Sequence, residues 1–190
     1  MSELDTLRRE CLDCRKCGLC ETRNNVVFGT GNPNARVMFI GEGPGEQEDL
    51  TGQPFVGRGG ILLDKMLAAV DLSRDKNIYI ANMVKCRPPK NRDPEEEEVQ
   101  ACRAWLREQI RLIDPKLIVC LGRIAAFRFI GPDFRVTKEH GQWKEVDGRL
   151  VMGTFRPAAL LRNPHQKPEG MEDFFALEEK IREVCPETYE

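Results

Sequence analysis

The sequence of 190 residues contains little that points to a membrane or to secretion. A membrane-spanning helix needs about 20 consecutive apolar residues, and no segment approaches that length. The N-terminal stretch MSELDTLRRE is polar and carries both charge signs, so it lacks the apolar core of a secretory signal. These absences argue against membrane insertion and predict a cytoplasmic protein.

An excess of positive charge is also absent. The formal net charge is −2 and the isoelectric point is near 5.9, so the chain as a whole lacks the electrostatic footprint of a nucleic-acid-binding protein. Basic side chains nevertheless gather in one segment and acidic ones in two others, namely Lys85, Arg87, Lys90 and Arg92, residues 95–98, and residues 187–190. A local basic patch and simple solvated charge both remain open.

Hydrophobic patterns predict four short buried strands, at residues 36–40, 78–84, 116–121 and 150–155. Between the first two, the segment GGILLDKMLAAV places five apolar side chains on one helical face, Ile61, Leu62, Met66, Leu67 and Val70. A strand, a helix and a strand in this order form a βαβ unit.

Further helices are expected after the second and third strands and at the end of the chain. Asp93 would cap a long helix that runs to about Ile113, with Pro94 at its first position. Additional helical segments are predicted at 122–131 and 172–184, and Asp147-Gly148 is typical of a hairpin turn.

Strands that alternate with helices predict one α/β domain over residues 1–190, with a mainly parallel four-stranded central sheet flanked by helices. The ligand crevice of such a sheet lies at the carboxyl ends of its strands. Polar segments follow three of the four strands there, GEGPGEQED (41–49), Asn82 with KCRPP, and FRPAALLRNP (155–164). We therefore expect the functional residues at this edge.

The segment GEGPGEQED invites comparison with a phosphate-binding loop. It lacks the Gly-Lys-Ser/Thr ending, and its glycines do not follow the dinucleotide-binding pattern, so nucleotide binding is disfavoured. Its glycines would let backbone N–H groups approach another ligand closely, with acidic side chains beside it. An acidic surface turn is the alternative.

Cysteine is the residue type with the clearest pattern. Of the eight cysteines, four recur at every third position, Cys11, Cys14, Cys17 and Cys20. In a reducing compartment, clustered cysteines indicate metal or iron–sulfur ligands rather than disulfides. Cys86 ends a predicted strand and Cys102 lies two turns into the next helix, so both can face one point and complete a four-thiolate site with an N-terminal Cys-x2-Cys pair.

Spacing alone does not distinguish zinc from a [4Fe–4S] cluster in such a site. The remaining two cysteines need no metal. Cys120 lies within an apolar strand and is expected in the core, and Cys185 is expected to be an incidental free thiol.

Together, the motifs GEGPGEQED, TGQPFVGRGG, ANMVKCRPPKNRDP and PAALLRNP resemble those of the iron–sulfur (family 4) uracil-DNA glycosylases, in order over roughly residues 10–182. The resemblance implies that a structural [4Fe–4S] cluster ties down the N-terminal segment. Its ligands would be Cys14, Cys17, Cys86 and Cys102, although a slip to Cys11 with Cys14, or to Cys17 with Cys20, remains open.

The same resemblance implies an enzyme of base-excision repair. It would flip uracil out of single- or double-stranded DNA, hydrolyse the N-glycosidic bond and leave an abasic site, acting as a monomer. Asn82 would recognise the uracil edge, Phe55 would stack on the base, and Glu48 would lie against C5 to exclude thymine.

Other residues are expected to serve the chemistry and the DNA. Backbone N–H groups from Gly41 to Gly43 would face the charge that develops on uracil O2, and Glu42 is the carboxylate nearest to a water or base. The segment PAALLR resembles an intercalation loop, in which Leu160 or Leu161 would enter the base stack and Arg162 would approach phosphate. The alternative is that both leucines belong to the core.

One position departs from the family pattern. The family normally has His-Pro in its second motif, and here the sequence is Arg156-Pro157. Arg156 would then be the electrophile, or its presence would make the protein a non-catalytic uracil- or damage-binding protein on the same scaffold. The better-known uracil glycosylases carry a water-activating aspartate in the first motif, and the matching position here is Gly43, which has no side chain. No lysine is placed for Schiff-base lyase chemistry.

Overall fold

The computed structural model describes all residues from Met1 to Glu190. Its six strands are β1 (Thr30–Gly31), β2 (Val37–Gly41), β3 (Tyr79–Asn82), β4 (Leu117–Leu121), β5 (Trp143–Val146) and β6 (Arg149–Thr154). They form one sheet in the order β1-β3-β2-β4-β6-β5. The central four strands run parallel, and β1 and β5 pair antiparallel at the two edges.

Eight α-helices flank the sheet, α1 (Glu3–Leu12), α2 (Glu46–Thr51), α3 (Arg58–Ala68), α4 (Glu96–Ile113), α5 (Arg123–Phe129), α6 (Val136–Glu139), α7 (Pro157–Arg162) and α8 (Lys167–Val184). The predicted α/β fold with a mainly parallel sheet is confirmed, and the four predicted strands are its central ones. The prediction of only four strands was incomplete, because β1 has two residues and β5 is polar and largely exposed.

Two apolar layers hold the sheet between the helices. Alternate strand residues face opposite sides, so that Met38 and Ile40 join the core beneath α1, α4 and α5, whereas Val37 and Phe39 join the core beneath α3 and α8. The central strands are buried on both faces, as expected for parallel strands covered by helices. None of the helices combines the length and the apolar content that a membrane span requires.

Two details of the helix predictions were wrong. Ile61 is 54% exposed and Leu62 is half-buried, whereas Leu63, which was not predicted, is buried together with Met66, Leu67 and Val70, which were. The long helix begins at Glu96 rather than after Asp93, because the Glu95 N–H is bound by Glu98 Oε1 at 2.8 Å, which fixes Glu95 as the cap.

The hairpin prediction is confirmed. Asp147 and Gly148 have φ values of 51° and 79° and join β5 to β6. Positive φ at both central positions is what a tight type I′ turn requires, and aspartate followed by glycine accommodates it.

Candidate functional site

A cavity of about 220 Å³ opens at the carboxyl ends of the parallel strands. Six of the predicted site residues line it, Glu42, Gly43, Glu48, Phe55, Asn82 and Arg156. A larger cavity of about 450 Å³, between α4, α5 and the hairpin, contains none of them. The chemistry-bearing residues therefore converge where the topology of the sheet predicts.

Asn82 ends β3 and is 2% exposed. Its Oδ1 atom is buried and has no hydrogen-bond partner within the protein. A Cβ atom on Gly41 would lie 2.5 Å from this oxygen and would collide with the ring of Phe55, so glycine is needed at that position. A buried unpaired acceptor is costly, and this one faces a cavity in which a ligand can satisfy it.

Phe55 reaches the cavity from a constrained loop. Its φ of 51° is unusual for a bulky residue. Arg74 stabilises this conformation by donating hydrogen bonds to the carbonyls of Pro54 (2.5 Å) and Phe55 (2.7 Å), and it also pairs with Asp64 at 3.0 Å. Sequence reasoning missed Arg74, because no motif marks a residue whose partner is a backbone carbonyl.

Glu48 connects the two loops that line the cavity. One carboxylate oxygen accepts a hydrogen bond from the Gly45 N–H at 2.9 Å, and the other accepts from Val56 (2.9 Å) and Gly57 (2.8 Å). Three backbone donors hold the carboxylate in one orientation. The structure thus gives Glu48 a bracing role, and its predicted contact with the C5 position of the base stays a prediction.

Glu42 and Arg156 form the charged side of the cavity. Arg156 Nη1 is 3.5 Å from Glu42 Oε2, and the Glu42 side chain is only 11% exposed. Burial raises the pKa of Glu42 to about 7, although Arg156 opposes this rise, and a hydrogen bond with the Asp93 carboxyl adds to it. Asp93 is therefore a neighbour of the site that sequence reasoning had placed only as a helix cap.

The segment PAALLR is a helix, α7, rather than an open loop. Leu160 is 1% exposed and packs over Gly170 and Met66, so the prediction that it enters DNA was wrong. Leu161 is half-buried and Arg162 is exposed. The predicted contact with DNA is thereby restricted to these two residues of the segment.

A second, small cavity is lined by cysteines. Five of the eight surround it, Cys14, Cys17, Cys20, Cys86 and Cys102. Cys11 is fully buried beside this group, and Cys120 lies in the core as predicted. All eight cysteines are free thiols, so no disulfide competes for them.

Hydrogen bonds distinguish four of these sulfurs from the others. Each predicted ligand accepts an N–H bond, Cys14 from Trp105 Nε1 (3.3 Å), Cys86 from Arg23 Nη1 (3.5 Å), Cys102 from the Lys85 amide (3.4 Å) and Cys17 from the Leu19 amide. No such donor reaches Cys11 or Cys20. Because N–H donors stabilise thiolates, this pattern fits the predicted ligand set.

No group of three or more histidine, cysteine, aspartate or glutamate side chains is arranged to hold a single metal ion. This result concerns one ion, whose ligands must approach a common point. In a [4Fe–4S] cluster each thiolate binds a different iron, so the sulfurs need not meet at one point. A site for several irons is therefore judged by its sulfurs and their N–H donors and not by this result.

Asp49 connects the cysteine-rich segment to the loops that line the cavity at the carboxyl ends of the strands. It is 1% exposed, and it accepts hydrogen bonds from the Asn24 amide at 2.8 Å and the Asn25 amide at 3.2 Å. The Asn24 side chain donates a further bond at 2.6 Å. Asp49 lies within the segment GEGPGEQED, whereas its partners Asn24 and Asn25 come shortly after Cys20 in the sequence. Asp49 therefore fastens the end of the cysteine-rich segment to GEGPGEQED.

Lys85 is not part of a surface basic patch. It is 1% exposed, and burial lowers its pKa to about 8. Of the other basic residues in that segment, Lys90 is exposed and Arg92 is bound to Glu98 through two contacts of 2.8 Å. The interpretation as a patch of four cations was therefore wrong, because one of them points into the interior.

Comparison with known proteins agrees with this geometry. Residues 28–178 match the family model described as the uracil DNA glycosylase superfamily. The chain belongs to this superfamily. It is 44% identical to a type-4 uracil-DNA glycosylase of Archaeoglobus fulgidus over 97% of this chain and 94% of that protein. The type-4 uracil-DNA glycosylase of Sulfurisphaera tokodaii is 44% identical over 100% of this chain and 89% of that protein. The type-4 enzyme of Thermotoga maritima is 47% identical over 79% of each chain. The resemblance seen in the motifs is therefore confirmed.

The two leucines of α7 provide a stability test. We expect Leu160→Ala to lower the free energy of unfolding by about 2–5 kcal/mol, because it leaves a cavity in the core. Leu161→Ala, at a half-buried position, should cost clearly less and serves as the matched control. Urea denaturation followed by circular dichroism measures both. Equal losses in the two variants would contradict the assignment of Leu160 to the core.

Proposed function

We propose that this protein is a monofunctional uracil-DNA glycosylase, which hydrolyses the N-glycosidic bond of uracil in DNA and leaves an abasic site for base-excision repair. The observation that carries the proposal is the unpaired, buried Asn82 Oδ1 beside the ring of Phe55. Uracil offers N3–H as a donor and O4 as an acceptor, which complement the two ends of the asparagine amide. Phe55 supplies the face on which a flipped base stacks.

Entry into the cavity requires the nucleotide to rotate out of the helix, at a cost of a few kcal/mol. Pro157 and Ala158 of α7 line the cavity, and on the same helix the half-buried Leu161 would fill the vacated position while the exposed Arg162 would approach the phosphates. Uracil held in the cavity by Asn82 and Phe55 offsets part of this cost.

The chemistry consists of breaking a C–N bond while uracil departs as an anion. Donors aimed at uracil O2 stabilise the developing charge, and backbone N–H groups from Gly41 to Gly43 together with Arg156 provide them. The Glu42 carboxylate positions the water or the base within the same cavity. The chain needs no lysine for these steps, so the reaction ends at the abasic site.

For the cysteine centre we propose a [4Fe–4S] cluster held by Cys14, Cys17, Cys86 and Cys102. When bound, the cluster supplies a structural cross-link rather than a reaction step. The four thiolates join the segment before β1 to the loop after β3 and to α4, and the N–H donors described above offset their charge.

We further propose that residues 1–190 act as one domain and as a monomer on single- or double-stranded DNA. A cytoplasmic location agrees with eight free thiols, because a reducing compartment keeps cysteines available for iron. Size-exclusion chromatography with light scattering tests the monomeric state.

Arg156 decides between this function and a non-catalytic uracil-binding protein. We expect the wild type to release uracil from oligonucleotides, and Arg156→Ala to lose about 2.7–4 kcal/mol of transition-state stabilisation, the cost of one lost oxyanion donor. Arg182→Ala, at an exposed position on α8, is the control. If the wild type is inert and Arg156→His releases uracil, the arginine is disabling and the binding protein is correct.

The Glu42 carboxyl gives the reaction a pH dependence. Its pKa of about 7 means that the carboxylate forms only as pH rises through that value, so kcat/KM should increase over the same range. Glu42→Gln should remove this increase and lower the rate by about 10²–10⁴-fold. The matched control is Glu46→Gln, at the exposed start of α2, which should leave the rate and its increase with pH unchanged.

The same carboxyl affects stability with the opposite sign. Its pKa in the folded protein lies above its ordinary value of 4.5, so its contribution to stability is present at low pH and is lost as pH rises toward 7. Unfolding measured at several pH values should show this loss in the wild type but not in Glu42→Gln. A rate profile that is flat across pH 7 would contradict the role of Glu42.

Iron content tests the ligand set. Alanine at Cys14, Cys17, Cys86 or Cys102 should abolish bound iron and loosen the N-terminal segment, because each thiolate binds a different iron. Cys11→Ala and Cys20→Ala are matched controls that should retain iron. Colorimetric iron per protein chain is the measurement, and a full complement of iron in Cys86→Ala would refute the assignment.

A further inference from the structure

Lys85 lies between the cysteine cavity and the base pocket. Lys85 lines the cavity that Cys86 and Cys102 also line, its backbone amide donates a hydrogen bond to Cys102 Sγ at 3.4 Å, and it is 1% exposed. At its other side, Lys85 Nζ donates a hydrogen bond to the backbone carbonyl of Asn82 at 2.8 Å. One residue thus contacts both regions of the proposed enzyme, the cysteines through its backbone amide and Asn82 through its ammonium group.

The charge of Lys85 needs a counter-charge. An isolated ammonium group in the interior costs several kcal/mol, and buried lysines are accordingly paired. Lys85 forms no ion pair with any carboxylate of the chain. The groups beside it that can carry negative charge are cysteine sulfurs of the cavity that it lines, and Cys102 Sγ accepts a hydrogen bond from the Lys85 amide at 3.4 Å. As iron ligands, Cys86 and Cys102 are thiolates and supply the negative charge that the ammonium lacks.

The carbonyl that Lys85 binds belongs to the residue proposed to recognise uracil. The two residues after Asn82 continue the pairing with the segment of β2 beyond the end of the strand. The Met83 N–H donates to the Gly41 carbonyl at 2.9 Å, and the Val84 N–H donates to the Glu42 carbonyl at 3.1 Å. Any shift of this segment changes the position of the Asn82 amide relative to the glycine loop.

We infer that Lys85 is a positioning residue that joins the iron–sulfur centre to the base pocket, bound to the Cys102 sulfur through its backbone amide and to the Asn82 carbonyl through its ammonium group. This inference rests on the proposed function. It extends the role of the centre, because the cross-link then orients the side chain that recognises uracil as well as fastening the N-terminus. It also predicts that a neutral residue at position 85 changes both the reduction potential of the cluster and the affinity for free uracil.

Lys85→Met retains the length and removes the charge, and Lys76→Met, at an exposed position before β3, is the matched control. Removal of a positive charge beside the cluster should make its reduction potential more negative, because reduction adds an electron. The inhibition constant of free uracil should rise at least about tenfold, since a misplacement of about 1 Å costs on the order of 100-fold. Affinity for abasic-site DNA should not change, because Lys85 is remote from the DNA surface.

These measurements separate positioning from a general loss of structure. A merely structural role would weaken abasic-site binding and uracil binding together. If Lys85→Met does not accumulate as folded protein, Lys85→Gln is used, since it keeps an N–H donor and loses only the charge. Lys85→Gln should show the same negative shift of the reduction potential and a smaller rise in the inhibition constant of free uracil.

The outcomes also distinguish this inference from the function on which it rests. A wild type that contains iron and releases uracil supports the proposed function, whatever the variants do. Variants at position 85 with unchanged potential and unchanged uracil inhibition would then overturn the inference alone. A wild type without iron would overturn the inference together with the assignment of the cluster.

Discussion

The site depends on the pairing of two adjacent parallel strands at their carboxyl ends. Gly41 of β2 is opposite Asn82 of β3, and backbone bonds to Gly41 and Glu42 continue this pairing past the end of the sheet. Because Gly41 has no side chain, the Phe55 ring and the Asn82 amide approach each other across it. A methyl group there would collide with both, so the placement of Phe55 and Asn82 beside each other at the cavity depends on glycine at position 41.

Much of this arrangement could be predicted from the sequence. Apolar strands that alternate with helices define the parallel sheet, and the carboxyl ends of such strands are where ligands bind. The motif after β2 and Asn82 after β3 therefore had to be neighbours. Cys86 and Cys102 were likewise placed together by their positions after a strand and within the next helix, and both line the cysteine cavity.

The remaining features depend on three-dimensional context that spacing does not contain. Leu160 and Leu161 are the same residue type in one motif, and only the packing of α7 against α8 determines which of them is buried. Lys85 is adjacent in sequence to exposed basic residues, and its burial follows from the cysteines around it. Arg74 stabilises the strained Phe55 through backbone carbonyls, which leave no signal in the sequence.

The exchange of histidine for arginine alters how charge is distributed in the site. A histidine with an ordinary pKa near 6.5 loses its charge over the same pH range in which Glu42 gains one. Arg156 keeps its charge throughout, so ionisation of Glu42 leaves a neutral pair instead of a lone carboxylate. In the proposed reaction the guanidinium would stabilise the carboxylate that positions water and would also donate to the departing base. Both demands fall on one side chain, whose Nη1 atom lies 3.5 Å from Glu42 Oε2 and whose guanidinium carries five N–H donors in all.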